Sequence, residues 1–475
     1  MILRRYGDLE LGFTTNWQPM NIASNGNSLA YGEVSFFKAV PPPGWSVLGC
    51  AARRTRQEAD PDGRRGGLLV RAVGGGDLLR PPVDYRMIWR GATSGATGVM
   101  WRPIPPPGYV AMGDYYNTTS NGAKPPLDAV VCVKQTHNGW NYARRAEVGD
   151  RVEGYPGGHP GSAGAFSAWP IVPPPYAHND QEERLLLPGG MFTGIDRYDG
   201  RPAPTEACWV LDLPAQVEHG PSPSVPQLTS HTQPPRQGVT VTDRTFTVPY
   251  YMVTDPQRDE PWKVNNSPFY QILRRRNYEL ILYRNNSQGS IEQPASEQVQ
   301  TGVSTESSEA FSRATGISVG FSYGVEASAK PFGIGVSASW EISLSASLEL
   351  GYESRYAVTT MQQVTITQQL TTPPRSSAAL WMERQQLLPV RSDGSMVSVQ
   401  AVLPFQSRYY HTSQYPPAAQ LGATARYAEL DAFGLPVTDP IGIPVEPQQP
   451  GEPREPASPG QPQGSADSGA SAELG

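Results

Sequence analysis

The sequence has few cysteines, no long apolar run and no strong excess of charge of either sign. Its 475 residues include three cysteines, Cys50, Cys132 and Cys208, and no CxxC pair. So few cysteines exclude a disulfide framework, and the missing CxxC spacing argues against a structural zinc or redox site. We therefore expect three buried free thiols that behave as small hydrophobic residues.

A membrane-spanning helix and a signal peptide are also not expected. There is no run of 18 apolar residues, and the N-terminal residues MILRRYGDLELGF contain no apolar h-region. We expect a chain made as a soluble protein without a visible signal peptide. The net charge of -6 makes nucleic acid an unexpected partner. The short run RRR at residues 274–276 is interpreted as a solvated strand end rather than a site for anionic headgroups.

Patterns typical of catalysis and of metal or nucleotide binding are missing as well. The six histidines have no HExxH or Cys/His spacing. No GxSxG motif is present, and GGGDLL at residues 74–79 is no GxGxxG between a strand and a helix. We expect no enzyme and no cofactor, and we leave open whether a metal ion binds.

Glycine and proline are abundant, at 48 and 49 residues, which favours short strands and turns. The first half also repeats itself. SFFKAVPPPGWSVLGC at residues 35–50 returns as VMWRPIPPPGYVAMGD at 99–114 and, more weakly, as FSAWPIVPPPYAHND at 166–180. Three such units cannot each bury a core alone, so we predict an all-β, pseudo-threefold, β-prism-like domain over residues 1–217.

These phrases, with RPPVDYRMIWR and PPLDAVVCVK, resemble the vacuolar protein sorting-associated protein 62 family. The resemblance covers about residues 1–217 and implies no catalytic residues. The third copy lacks the glycine of PPPG, so a site that needs three equal units is not expected.

The second half has a different composition. Residues 218–238 are rich in proline and polar residues and predict a linker. Residues 239–440 contain alternating stretches such as AVTTMQQVTITQQLT, which predict an elongated β-sheet domain. Residues 441–475 carry few bulky apolar residues and predict a disordered tail.

Residues 316–352, GISVGFSYGVEASAKPFGIGVSASWEISLSASLELGY, alternate apolar and small polar residues, and the phase switches once at KPFG. Turn residues at the switch predict one hairpin with both apolar sets on one face. That face is predicted to contact lipid through Ile317, Val319, Phe321, Tyr323, Val325, Phe332, Ile334, Val336, Trp340, Ile342, Leu344 and Leu348.

The opposite face of this hairpin is mostly serine and glycine, with Glu326, Glu341 and Glu349 predicted to line a pore. Its arms of about 14 and 21 residues exceed the 9–11 that a membrane strand needs. Open strand edges are not tolerated in lipid, so several copies would have to contribute a hairpin each. A long hairpin in a soluble β-sandwich is the alternative.

The flanking segments, EQVQTGVSTESSEAFSRATG and YESRYAVTTMQQVTITQQLT, resemble the pore-forming module of aerolysin-like toxins of the epsilon-toxin and mosquitocidal toxin type. That resemblance implies a released, insecticidal protein that binds a glycan or lipid receptor, forms a homo-oligomer and inserts a β-barrel into the target-cell membrane. The competing hypothesis is a non-toxic glycan-binding or membrane-trafficking adaptor.

Acidic residues and tyrosines recur near the strand-like phrases of the repeats. They fit turn or cap roles, and they also fit a calcium or sugar site on the rim of the first domain. The residues assigned to this receptor-binding hypothesis are Asp84, Tyr85, Tyr109, Asp114, Tyr115, Asp128 and Asp196.

Overall fold

The computed structural model describes residues 1–20, 34–54, 66–93, 96–157, 164–174, 184–317 and 363–417. These residues lie in one compact unit, Met1–Tyr427. A second unit, Ala428–Gly475, lies outside the described residues, and so does the predicted tail at 441–475. Strands dominate the described chain, which confirms the predicted all-β class.

The first half contains three consecutive units of small antiparallel sheets. The first unit has β1 (Arg4–Tyr6), β2 (Leu9–Thr14), β3 (Trp17–Pro19), β4 (Val34–Ala39), β5 (Ala51–Arg54) and β6 (Gly67–Ala72). The second has β7 (Leu79–Arg80), β8 (Asp84–Thr93), β9 (Ala96–Ile104), β10 (Tyr109–Val110), β11 (Tyr115–Thr119), β12 (Cys132–Lys134), β13 (Thr136–His137) and β14 (Trp140–Asn141). The third has β15 (Ala143–Arg145), β16 (Glu147–Val148), β17 (Glu153–Tyr155), β18 (Phe166–Val172), β19 (Arg184–Leu187), β20 (Phe192–Ile195) and β21 (Trp209–Pro214).

The three units share one pairing pattern. Strands β4, β9 and β18 are each central in a sheet, and each leads into a tri-proline motif. In the other sheet β12 lies between β7 and β10, as β21 lies between β15 and β19. In the first unit β6 pairs with β2, and a single bridge from Ser46 to Val70 stands in place of β10. The repeated connectivity confirms the predicted pseudo-threefold relation.

Each unit contributes a cross-strand pair of apolar residues to one shared core. A unit of such short strands can bury only one face of its sheet, and the three units together exclude water from the core between those faces. The core continues into the second half of the chain through Phe246 and Phe269. The three pairs are Leu11 with Val70, Leu79 with Val133, and Ala143 with Leu211.

The tri-proline motifs of the first two units end in the same tight turn. The N–H of Trp45 donates to the carbonyl of Pro42 at 3.1 Å, and Gly44 has a φ of 82°. Gly108 repeats this conformation with a φ of 80°. A positive φ at the third position is type II turn geometry, which favours glycine. The third copy has no glycine here, and its residues 175–183 lie outside the described residues.

Gly44→Ala is expected to lower the free energy of unfolding by about 1–2 kcal/mol, because alanine is disfavoured in the left-handed region. Urea denaturation measures the loss. Gly76→Ala is the matched control, since Gly76 is exposed with a φ of -64°. Equal losses in the two variants would contradict this explanation.

The second half is built on a long five-stranded sheet in the order β22-β23-β24-β27-β28, beside a two-stranded ribbon of β25 and β26. Among the described residues of this half, two α-helices and one short 3-10 helix accompany the strands. The sheet has β22 (Gln216–His219), β23 (Val241–Pro249), β24 (Phe269–Asn286), β27 (Ser376–Val390) and β28 (Leu403–Tyr415). The ribbon has β25 (Gln293–Thr301) and β26 (Val364–Thr372). These helices are α1 (Glu260–Asn266), α2 (Thr305–Thr315) and the 3-10 helix Tyr250–Met252, while the 3-10 helices Val73–Gly75 and Leu127–Ala129 lie in the first half.

The arginine run at 274–276 lies in the middle of β24. Arg274 donates from Nε to Oδ1 of Asp243 at 2.9 Å, and both side chains are buried. Arg276 bridges Asp243 and Glu383 of the neighbouring strands. Arg274 and Arg276 therefore belong to an internal ion-pair network of the long sheet, and the interpretation of the run as a solvated strand end was wrong.

The segment predicted as a linker, residues 218–238, packs against the long sheet. Its first two residues belong to β22, and Leu228 is buried against a cluster that includes Leu280 and Trp381.

Within the described part of the chain, no helix is long and apolar enough to cross a membrane.

Candidate functional site

The two strands of the ribbon, β25 and β26, lie before and after the alternating segment in the sequence. Strands β25 and β26 pair from Gln293 opposite Thr372 to Thr301 opposite Val364. The chain leaves the ribbon at Thr301 and returns at Val364, so both ends of residues 302–363 are held at the same end of the ribbon.

The ribbon is polar and mostly exposed. Serine, threonine and glutamine account for most of its side chains. Its buried positions all fall on one face of the pair, which leaves the opposite face to solvent. These buried residues are Val299, Thr301, Gln368, Leu370 and Thr372.

Helix α2 connects the ribbon to the alternating segment. The Ser304 hydroxyl accepts a hydrogen bond from the N–H of Ser307 at 3.1 Å and caps the N-terminus. Glu306 in the first turn and Arg313 in the last complement the helix dipole, and Gly316 ends the helix at a φ of 69°. This helix was not predicted from the sequence, although its cap residues Ser304 and Gly316 are visible signals for it.

The beginning of the alternating segment is buried in the protein core. Ile317 has no exposed surface and lies in the same apolar cluster as Phe311 of helix α2. The N–H of Ile317 donates to Oγ1 of Thr315 at 3.1 Å, and the carbonyl of Thr315 accepts from the N–H of Thr254 at 2.7 Å. Ile317, which was predicted to face lipid, contacts the protein interior in this state.

The rest of the predicted hairpin, from residue 318 onward, lies outside the described residues. This covers the other predicted lipid-facing residues, Val319, Phe321, Tyr323, Val325, Phe332, Ile334, Val336, Trp340, Ile342, Leu344 and Leu348. It also covers the predicted pore-lining residues Glu326, Glu341 and Glu349.

Four of the residues assigned to receptor binding are buried, namely Tyr85, Tyr109, Asp114 and Tyr115. The Tyr85 hydroxyl donates to the carbonyl of Pro126 at 3.2 Å, and that of Tyr109 donates to the carbonyl of Asp77. These side chains have little surface with which to contact a receptor in this state.

Asp114 is held in a buried ion pair within the second unit, and a hydrogen bond from Gly194 connects it to the third unit. Arg102 donates to its two carboxylate oxygens at 2.9 and 2.8 Å, and the N–H of Gly194 donates at 2.7 Å. Arg102 also contacts the exposed carboxylate of Glu206 at 3.1 Å. The geometry gives Asp114 a structural role, because a buried carboxylate needs these partners.

The other three, Asp84, Asp128 and Asp196, carry exposed or partly exposed side chains. Asp84 contacts Nζ of Lys124 at 2.6 Å, and the hydrogen bond from Lys124 lowers the pKa of this carboxyl. The seven assigned residues are thus divided between the interior and the surface, and they do not form one surface site.

Two further features concern metal and thiol chemistry. In the described ranges, no three side chains of His, Cys, Asp or Glu come together in a way that could hold a metal ion. The three cysteines are free and buried, as predicted, and burial raises the pKa of Cys50 to about 12. The Cys50 thiol is therefore protonated at neutral pH and behaves as an apolar side chain.

The described chain thus has two parts. The first half forms a threefold set of short sheets, and the second half forms a long sheet beside a polar ribbon. Residues 5–141 match the family described as vacuolar protein sorting-associated protein 62. Residues 241–398 match the family described as insecticidal crystal toxin, P42. Both resemblances drawn from the sequence are confirmed, and the second match indicates a toxin.

GNIP1Aa and Cry35Ab1 are among the solved structures that are similar to the chain. GNIP1Aa from Chromobacterium piscinae is 22% identical, with a TM-score of 0.30 over 40% of this chain and 34% of that one. The chain therefore spans about a third of the length of GNIP1Aa. Cry35Ab1 is 11% identical, with a TM-score of 0.32 over 86% of this chain and 92% of that one. No curated protein matches the chain.

Proposed function

We propose that this protein is a pore-forming toxin without enzymatic activity. It is released from the producing cell, binds a glycan or lipid receptor on the target-cell membrane, oligomerises and inserts residues 316–352 as a β-hairpin. Insects are the proposed targets, because residues 241–398 match an insecticidal toxin family. The observation that carries the proposal is the paired ribbon, which holds both ends of residues 302–363, the stretch that contains the alternating segment, at one place.

The ribbon gives the hairpin a starting register. Once helix α2 unfolds, residues 302–363 can extend a pair of antiparallel strands that already exists, so the ends of the new hairpin do not have to be brought together. Alternation of apolar and small polar residues matches a strand with one face in lipid and one face in a water-filled lumen. One hairpin leaves two open edges, and pairing with hairpins of other copies closes them.

Insertion requires the anchor at the start of the segment to change. Ile317 must leave the core, and the hydrogen bond between Thr254 and Thr315 must break if helix α2 is to move. Gly316 has the conformational freedom for this change, because glycine populates both signs of φ. The N-terminal half supplies the receptor-binding surface in this proposal.

Dye release from liposomes tests the proposal. Full-length protein, with and without prior protease treatment, is added to calcein-loaded vesicles of phosphatidylcholine and cholesterol, and to vesicles made from insect gut membranes. We expect release from the gut-membrane vesicles, together with heat-resistant oligomers in the membrane pellet. Intact vesicles of both kinds under all conditions would favour the adaptor hypothesis instead.

A further inference from the structure

Strand β24 extends well beyond its neighbour β23. The two strands pair from Phe269 opposite Pro249 to Arg276 opposite Val241. On the other side β27 pairs with β24 as far as Asn286. Residues 277–286 of β24 therefore have a neighbouring strand on one side, while β23 ends before reaching them on the other.

Residues 220–240, called the strap below, lie along this part of β24. The N–H of Leu280 donates to the carbonyl of Arg236 at 2.7 Å, and the N–H of Gly238 donates to the carbonyl of Tyr278 at 2.8 Å. Further along, the side chain of Asn285 donates to the carbonyl of His231 at 2.9 Å. The strap thus pairs with the strand edge at residues 278–280, and its earlier residues 227–231 lie over the face of the sheet, against Ser377 of β27 and His411 of β28.

Side-chain contacts hold the strap at few points. Leu228 is its main apolar anchor and is 5% exposed. Nδ1 of His231 lies 3.0 Å from Oγ of Ser377, and Gln227 lies 3.1 Å from the ring of His411. Most other strap residues are exposed. An edge covered in this way is protected from pairing with other chains, but only a few contacts have to break to expose it.

We propose that the strap is a displaceable cover, and that the edge of β24 at residues 277–286 is the surface to which a second copy of this chain adds a strand. The inference rests on the proposed function, which requires several copies. A second copy is the fitting partner because β28 ends the same sheet on its other side. Contact between the β24 edge of one copy and the β28 side of the next is heterologous, and heterologous contacts generate a ring when the rotation between copies closes.

A disulfide across the strap and β24 tests the proposal. Gln237 and Glu279 form an antiparallel bridge flanked by the two backbone hydrogen bonds above. Residues in such a non-hydrogen-bonded pair have Cα atoms about 4.5 Å apart, which suits a disulfide. We expect the oxidised Gln237→Cys, Glu279→Cys protein to form at least about tenfold fewer oligomers on insect gut-membrane vesicles than the same protein after reduction.

A second variant loosens the strap. Leu228→Ala removes the apolar anchor and is expected to raise the oligomer yield severalfold, measured by light scattering after size-exclusion chromatography. Val225→Ala is the matched control, because Val225 lies on the same strap and is 40% exposed. Wild-type protein with and without reductant controls for the three native cysteines.

The outcomes separate this inference from the proposed function. Equal oligomer yields from the oxidised and reduced double variant, no gain from Leu228→Ala, or no oligomers in any variant would each overturn the role of the strap. Strap-dependent oligomers that release no dye would support this inference and count against the pore.

Discussion

Leu344→Arg is expected to abolish dye release while the protein still folds and binds membranes. Leu344 lies in the middle of the second apolar arm of residues 316–352. In the inserted state that we propose, its side chain would face lipid near the bilayer centre, where arginine costs about 2–4 kcal/mol. Every copy in the pore carries the substitution, so the costs add over the oligomer. We expect release to fall more than about a hundredfold at equal protein concentration.

The adjacent residue provides the matched control. Ser343→Arg places the same charge one position away, on the face predicted to line the lumen. Because water solvates that face, we expect this variant to retain most of its release and to change the ion selectivity of the conductance. If Ser343→Arg is as inactive as Leu344→Arg, or if both remain active, the assignment of the two faces is wrong.

Arg391→Met is expected to lower the free energy of unfolding by about 3–5 kcal/mol. Arg391 donates to both oxygens of Asp255 at 2.7 and 2.9 Å, and both side chains are buried. Methionine fills similar space but leaves the carboxylate of Asp255 without a cation in the interior. Urea denaturation at neutral pH measures the loss.

The pH dependence of stability distinguishes this explanation from a packing defect. Burial by itself raises the pKa of Asp255, but the hydrogen bonds from Arg391 and Tyr270 outweigh it, so the pKa is lowered. The pair therefore contributes its full stability above the ordinary carboxyl pKa of about 4, and the contribution is lost as pH falls through the lowered value. Without Arg391, burial raises the pKa of Asp255, so the variant should become relatively more stable as the pH is lowered from 7 toward 4.

An exposed ion pair serves as the control for this prediction. Lys124→Met removes the partner of Asp84, and both side chains are about half exposed. Because water replaces the lost contact, we expect little change in the free energy of unfolding. An Arg391→Met variant that behaves like Lys124→Met, or one whose defect does not depend on pH, would contradict the role given to the buried pair.

Much of the architecture could be predicted from local patterns. The tri-proline repeats mark three central strands, and PPPG requires the positive φ found at Gly44 and Gly108. Alternation and Ser/Thr-rich stretches indicated the long strands of the second half. Such features depend on neighbours within a few residues, so they are visible without knowledge of the fold.

The candidate receptor site could not be predicted in the same way. Asp84 and Asp114 both lie in the repeated phrases of the sequence, yet Asp114 is buried against Arg102 and Gly194 of the third unit, whereas Asp84 is half exposed beside Lys124. Exposure depends on what a different unit places over a residue. The arginines at 274–276 were misread for the same reason, because their partners lie on neighbouring strands.

By itself, the sequence determined the all-β class, the threefold repeat, the tight turns and the alternating segment, since each follows from residue type and spacing along the chain. Tertiary structure alone decided that Ile317 is buried, that helix α2 precedes the alternating segment, and that residues 220–240 cover an edge of β24 instead of linking two separate domains. The physical reason is that burial, ion pairs and the covering of a strand edge depend on residues that are far apart in sequence. Only the packing of the fold determines which of these residues meet.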